Sequence, residues 1–585
     1  MATTALVTPT VAPAGQVTLK SADGQLSVDG DLLSHDATTY TIETQLGTIA
    51  LEKSLVSCEG PGCPAAPAPA VTVATNTPAA SDPTATVLPD GPVTLTSANG
   101  SLTLNGTLKS FDGQTYVIVT QLGTMPVDSA LVSCEGPGCP IEQVQTIAVR
   151  GSDTIGDALM PLLVSGYVSA TGGTIMSSEQ IAGDTTRLSV APNQGSGAAF
   201  DVEIQAAGSS AGMSALISRS TDIAMASRDA SAQERQAIRQ QGRGDLESLQ
   251  QNYILALDSI LTVVHPDNPV QNLTMRQLAD AMAGRINNWA ELGGPDLPIN
   301  VYTRPGGSGT RAVVNDKVLA PLGLTMRPDA IEVSGNGDMQ QLVESDPSAL
   351  GYLSFNAQGD TKSLDLVASC GITMSPTVFA SKTEEYPLER RLHLYVDNAP
   401  LAPEAQGLLD FAVSPAADPL MRDAGFIDLS VKVATPEETS ARQFADKDAK
   451  LGREELQVIG QMLSQLDGAA RLSTTLRFEI GSEQLDVKSQ RDIVRVMEYL
   501  SKPEMAGKEL ILAGFSDATG PFEANRVLSD RRASAALAAL QRHPLAANLP
   551  GVTMSAAGFS ELSPVGCNTS EDGRSRNRRV ELWLR

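Results

Sequence analysis

The sequence is poor in histidine and in aromatic residues: four histidines, two tryptophans and 4% aromatics among 585 residues. With so few imidazoles, a histidine-based metal centre is not expected, and no paired-carboxylate, His/Asp or Ser/His arrangement stands in a recognisable catalytic motif. Long apolar runs are missing too. No window approaches about 18 uninterrupted apolar residues, so no membrane-spanning helix is expected. Basic residues are the minority, 42 Lys and Arg against 67 Asp and Glu, for a formal charge of −25. A field of that sign argues against nucleic acid as a partner. Any anion has to be captured locally, by backbone N–H groups and a few arginines. The opening MATTALVTPTVAPAGQ lacks a basic n-region and an apolar h-region, so it is not a secretory signal; the chain reads as a mature exported form with an added methionine.

Cysteine is scarce, six in all, but four stand in two identical strings, SCEGPGCP, at Cys58/Cys63 and Cys134/Cys139. Each Cys-x4-Cys loop encloses Gly-Pro-Gly and reads as a disulfide worth about 2 kcal/mol by loop entropy. The competing reading, a metal site, has no histidine nearby. Disulfides imply an oxidising compartment. The two strings end two repeats: residues 15–64 and 91–140 align without a gap at an offset of 76, with about 30 of 50 positions identical. Both alternate apolar and polar residues between Asp-Gly or Asn-Gly turns, which predicts a small all-β module of about four or five strands each. Residues 65–90, rich in Pro, Ala and Thr, predict a flexible linker. Cys370, in VASCGI, has no obvious partner and is read as a buried thiol. Cys567 falls in a loop, either free or paired with Cys370 if their domains touch.

From 144 to 432 strand-like runs (TIAVRG, DIAMAS, ILTVVH, INVYTR, LGYLSF) alternate with helical stretches such as TMRQLADAMAG, a mixed α/β pattern. The stretch VYTRPGGSGTRAVV (301–314) sets three glycines and two small hydroxyls between a strand-like run and a helix. Glycine lets a guest approach backbone N–H groups closely. A helix start leaves such groups unpaired at the positive end of the dipole. The stretch is therefore either an anion site or a turn whose serine caps its helix. Residues 433–468, charged and poor in glycine, predict a helical connector. The last part, 470–585, reads as β-α-β-α-β followed by a final strand, RRVELWLR.

Several central segments, VRGSDTIGDALMPLL, QAAGSSAGMSALIS, STDIAMASRDAS, ALDSILTVVHPDNPV and TRPGGSGTRA, follow one another as in the phosphate-binding members of the periplasmic substrate-binding protein superfamily. The resemblance covers roughly 144–430 and implies a two-lobed α/β binder with a ligand cleft between lobes; KTEEYPLERRLHLYV (382–396) looks like the family's return crossing. It implies phosphate contacts at Thr154 and Ile155, Ser209, Arg304, Ser308, Gly309 and Thr310. Many such binders carry an aspartate in the DIAMAS segment that accepts the proton of hydrogen phosphate; here Ser227 stands there, followed by Arg228. Both join the implied phosphate-binding set, although Arg228 also reads as a surface salt bridge. Hydroxyls, amides and a planar guanidinium suit a dehydrated tetrahedral oxyanion, each charge-assisted bond netting about 1.5–3 kcal/mol.

GFSDATGPFEANRVLSDRRASAAL, with GRSRNRRVELWL downstream, resembles the OmpA-like peptidoglycan-binding domain, a βαβαββ fold. The resemblance implies that Asp517 and Arg532 hold the ammonium and carboxylate of the diaminopimelate end of a stem peptide. Asn525, grouped with them, is expected to cap the helix start. The whole reads as a multidomain α+β protein: two β repeats, a two-lobed binder and a wall-binding domain. Its expected role is a periplasmic phosphate or oxyanion binder tethered to peptidoglycan, associated with the cell wall or outer membrane of a Gram-negative bacterium. The β repeats are expected to face an envelope protein partner. No enzyme activity, metal or cofactor is expected. The competing reading is an envelope scaffold that binds no free anion.

Overall fold

The computed structural model describes residues 16–64 and 91–139, apart from 22–26, 37, 45–46, 55, 98–102, 112–114 and 122, and residues 144–585, apart from 194–198, 437, 439–450 and 479–481. The expected linker at 65–90 lies outside the described residues. The chain divides into two compact units, residues 1–143 and 144–585. Among the described residues, no helix is long and apolar enough to cross a membrane.

In the first unit each repeat forms a five-stranded antiparallel sheet in which the last strand returns beside the first. Period-2 alternation sends one side of each strand inward. Leu19, Leu32, Ile42 and Leu51 of one repeat and Leu95, Ile118, Met125 and Val127 of the other fill a single core. The paired cysteines form the disulfides Cys58–Cys63 and Cys134–Cys139, each with Cα atoms 5.8 Å apart. Gly60 and Gly136, at φ 120° and 122°, turn the chain inside these loops. A side chain at Gly136 would run into the carbonyl of Pro92, so glycine is required twice over there.

The second unit is built on an eleven-stranded sheet that runs through two lobes. One lobe packs around Val149, Leu163, Val202 and Leu394, the other around Val264, Leu278, Trp289 and Tyr352. The strand Asn252–Val264, thirteen residues and all buried, passes from one lobe into the other. Its first half pairs with Glu389–Val396 and its second with Ala349–Ser354, both antiparallel. These crossing strands are the floor between the lobes.

The C-terminal sheet orders its strands Ala470–Arg477, Arg579–Leu584, Glu509–Phe515 and Thr553–Gly558. Alternation along Glu509–Phe515 fixes two faces: Leu510 and Leu512 meet the core shared with the helices Val487–Leu500 and Phe522–Arg542, while Ile511, Ala513 and Phe515 meet Val458 and Met462 of the helix Arg453–Gln465. That last helix lies within the expected connector.

This domain touches both lobes. Arg495 holds Asp418 at 3.0 Å and Arg491 donates to the carbonyls of Leu249 and Asn252 on one side. Arg477 holds Glu384 at 2.8 Å on the other. There too Cys370 and Cys567 form a disulfide across 197 residues, with Cα atoms 5.6 Å apart. The reading of Cys370 as a free buried thiol is therefore corrected. The alternative, pairing with Cys567 if their domains touch, is the one the structure bears out.

Candidate functional site

The strand Gln145–Gly151 runs parallel to Phe200–Gln205 and Ile223–Ala226, so the turns after all three open at one edge of the sheet. In the other lobe, Asn300–Thr303 runs parallel to Ala349–Ser354 and delivers the glycine-rich turn. The hydroxyls of Thr154, Ser209 and Ser227 from one lobe meet Thr310 from the other. What they meet around is Arg390, on the crossing strand Glu389–Val396. Arg390 Nη1 donates to Thr310 Oγ1 at 2.8 Å and Ser227 Oγ at 3.2 Å, and Nη2 approaches Thr154 Oγ1 at 3.4 Å. Ser209 Oγ lies 3.2 Å from Ser227 Oγ and accepts the Ser227 N–H at 3.1 Å.

Gly309 packs so close that any Cβ there would overlap the Ser209 and Ser227 hydroxyls. Glycine is demanded here by proximity, not by a left-handed φ. Behind the cluster, Asp258 Oδ2 accepts from Arg390 Nε at 2.9 Å and Nη2 at 2.6 Å, and its Oδ1 accepts from Ser354 Oγ and the Phe355 N–H. Asp258 and Arg390 are register partners on adjacent strands and are buried to 0% and 1% exposure. An ion pair this deep stands only when its hydrogen bonds are satisfied. Hydroxyls that accept from a guanidinium or an amide keep their own protons to donate. The cluster can therefore present several O–H donors at once.

The other expected residues are placed differently. Ile155 is buried in its lobe's core, and its N–H donates to the Ser152 carbonyl. Ser308 caps its helix, accepting from the Arg311 N–H at 3.4 Å, as the turn reading allowed. Arg304 does not join Arg390; its Nη1 and Nη2 reach Asn336 Oδ1 at 3.0 Å, Asp153 Oδ2 at 2.5 Å and the Ser334 carbonyl at 2.7 Å. Arg228 grips both oxygens of Glu234, at 2.7 and 2.8 Å, in the capping box of the helix Ala232–Gln240, and its Nη2 approaches Ser210 Oγ at 3.5 Å.

Sequence reasoning missed Arg390, Asp258 and Ser152, whose buried Oγ has no hydrogen-bond partner among the described residues. A signal existed for two of them. ILALDSILTVV and RRLHLYV are strands with charges inside apolar runs, and a charge taken out of water requires a partner.

In the C-terminal domain, Asp517 follows the strand Glu509–Phe515 and accepts from Arg578 Nη1 at 2.8 Å and the Thr519 N–H at 2.9 Å. Burial raises its pKa, but these donors outweigh burial and hold the carboxyl below its ordinary range. Arg532, on the helix Phe522–Arg542, is 4% exposed, with its guanidinium 5.7 Å from the Phe478 ring centre. Its Nε and Nη1 have no partner among the described residues. Burial and then Arg578 push its pKa below the usual guanidinium value, with Asp517 opposing. Asn525 is not a cap: the helix begins at Phe522 after Pro521, and Asn525 sits inside the first turn with Nδ2 on Glu561 Oε2 at 2.8 Å. Proline's fixed φ suits a helix start and takes over that boundary.

Residues 168–416 match the model of the PBP superfamily domain, and residues 477–578 match the OmpA family. The phosphate-binding protein PstS of Borreliella burgdorferi is 25% identical over 233 residues, covering 39% of this chain and 80% of the relative. PstS of Bacillus subtilis is 28% identical over 236 residues, covering 39% and 72%. Protein SphX of Synechococcus elongatus is 28% identical over 248 residues, covering 40% and 71%. An ABC-type phosphate transport receptor from Vibrio cholerae aligns with a TM-score of 0.37 at 25% identity, covering 48% of this chain and 99% of that one. The two lobes joined by crossing strands and the four-stranded sheet that follows thus coincide with the stretches that match the PBP superfamily domain and the OmpA family.

Proposed function

We propose that residues 144–432 bind hydrogen phosphate or a similar tetrahedral oxyanion between the lobes, while residues 470–585 hold the diaminopimelate end of a peptidoglycan stem peptide. The observation that carries the first half is the convergence of Thr154, Ser209, Ser227 and Thr310 on the Asp258-backed guanidinium of Arg390. Relatives named for phosphate binding support the same choice. The buried Nε and Nη1 of Arg532, without a partner among the described residues and under the influence of the Asp517 charge, support the second half. The protein is then a non-enzymatic envelope binder that retains its ligand near the wall. The β repeats at 15–64 and 91–140, separated by 65–90 and followed by domains at 144–432 and 470–585 with a connector at 433–468, are free to engage an envelope partner.

A second reading, an architectural protein that takes no free anion, draws on Asp153, whose carboxylate already occupies Arg304. Titration calorimetry with phosphate separates the two. Saturable heat at micromolar concentrations supports the binder. No heat and no shift in melting temperature would leave only the scaffold.

A further inference from the structure

The helix Val487–Leu500 faces two ways. Ile493, Val496, Met497 and Leu500 fill the core of the C-terminal domain. Val487, Arg491 and Arg495, at i, i+4 and i+8, form a second stripe that is given to the lobe packed around Val149. Val487 packs against Ile254, Leu257, Ile427 and Leu429. Arg491 lays its guanidinium 4.8 Å from the ring centre of Tyr253 and donates to the carbonyls of Leu249 and Asn252. Arg495 takes both oxygens of Asp418, at 3.0 and 3.2 Å, and the Val413 carbonyl at 2.9 Å. The side chains of that ion pair are 9% and 10% exposed, so salt screens it far less than a surface pair. The same domain is tied to the opposite lobe by a covalent bond, since Cys567 is joined to Cys370, which packs on the core around Val264. Arg477 adds its bond to Glu384 on that side.

The donors between the lobes leave a guest no way in while the lobes are together: Ser209, Ser227 and Thr310 are 0% exposed and Arg390 3%. A guest enters or leaves only when the lobes part, and a third body fixed to both resists that rotation. The disulfide cannot give, so parting has to break the side held by Val487, Arg491 and Arg495. We propose that the C-terminal domain is a latch on the cleft: its helix Val487–Leu500 lets go of the first lobe before the anion can exchange. The domain proposed to bind the wall would then also set how long the anion stays. These contacts lie outside the cleft and hold the closed lobes alike with and without a guest, so the latch governs exchange more than affinity. The inference rests on the oxyanion reading of the cleft and adds the regulation of that site.

The test is a release measurement on the full chain. Protein loaded with radiolabelled inorganic phosphate is chased with unlabelled phosphate, and the retained label is followed in time. Arg491→Ala with Arg495→Ala should release label about tenfold or more faster than wild type. Arg495→Gln and Asp418→Asn attack one contact from its two ends. Each should speed release, and the two together no more than either alone, because the second change finds the contact already gone. Arg526, paired with Glu523 at the surface of the helix Phe522–Arg542, supplies the control, and Arg526→Ala should release as wild type does. Release at the wild-type rate from the folded double arginine variant overturns the latch. So do additive effects of Arg495→Gln and Asp418→Asn, or an equal acceleration in Arg526→Ala, since either would mark a general loosening of the fold. A folded wild type that retains no label from the outset sinks the oxyanion reading itself, a result distinct from the others.

Discussion

The two candidate sites differ in whether a carboxylate is paired with their buried arginines. Between the lobes each guanidinium is matched by a resident carboxylate, Arg390 by Asp258 and Arg304 by Asp153. In the C-terminal domain Arg532 is as deeply placed, yet among the described residues its Nε and Nη1 find no acceptor, and Asp517, whose charge it feels, is held by Arg578. A buried donor without a partner costs free energy that a ligand carboxylate would return on binding. Between the lobes that debt is smaller: Arg304 Nε and Ser152 Oγ also lack a partner among the described residues, but the guanidinium at the centre of the cluster, Arg390, is engaged at all three nitrogens. The affinity of the cluster has to come from neutral hydroxyl and amide donors, with charge already balanced, which suits an anion that must arrive against a protein of net charge −25.

The comparison assumes that the two sites are separate devices on a shared frame, and the frame can be cut. The disulfide Cys370–Cys567 closes a loop of 197 residues, so Cys370→Ser with Cys567→Ser should lower stability by about 5 kcal/mol in the loop-entropy model. Calorimetric melting reads that loss, while phosphate and sacculus binding at low temperature should persist. Loss of both activities in the folded double variant would mean one composite site. Next in size, Arg390→Ala strands the buried carboxylate of Asp258 and should cost about 3–5 kcal/mol. Pairing Arg390→Met with Asp258→Asn should restore most of the stability without restoring phosphate binding. Phosphate affinity that survives either variant would move the site elsewhere in the cleft.

Much of this contrast was legible beforehand. Small hydroxyls and glycines after strands mark turns that expose donors, and Thr154, Ser209, Ser227, Gly309 and Thr310 do come together. What the linear pattern hides is pairing. Arg390 and Asp258 lie 132 residues apart and meet only through strand register. Arg304 sits in the glycine-rich turn and still faces a carboxylate of the other lobe. Cys370 and Cys567 illustrate the same limit across domains. Asn525 failed for a local reason, since the proline four residues earlier starts the helix sooner than the polar residue could.

For the C-terminal site, Arg532→Ala should reduce retention on purified sacculi by about 100-fold, or about 2.7 kcal/mol. Stability should hardly fall, because the group removed had two unmet donors. A drop in melting temperature like that of Arg390→Ala would erase the distinction between the sites. The smallest effect expected is with pH. Asp517 is pushed up by burial but held lower overall by Arg578 and Thr519. A carboxyl whose folded pKa is depressed contributes stability above its ordinary pKa of about 4 and loses it only as pH falls through the lower folded value. From pH 7 to about 5 the group therefore stays ionised, and its hold on an ammonium should not weaken. Sacculus retention measured over that window should be flat, and lost on Asp517→Ala throughout it. A decline between pH 7 and 5 in wild type would mean that Asp517 is protonating there, and that Arg578 does not fix its charge.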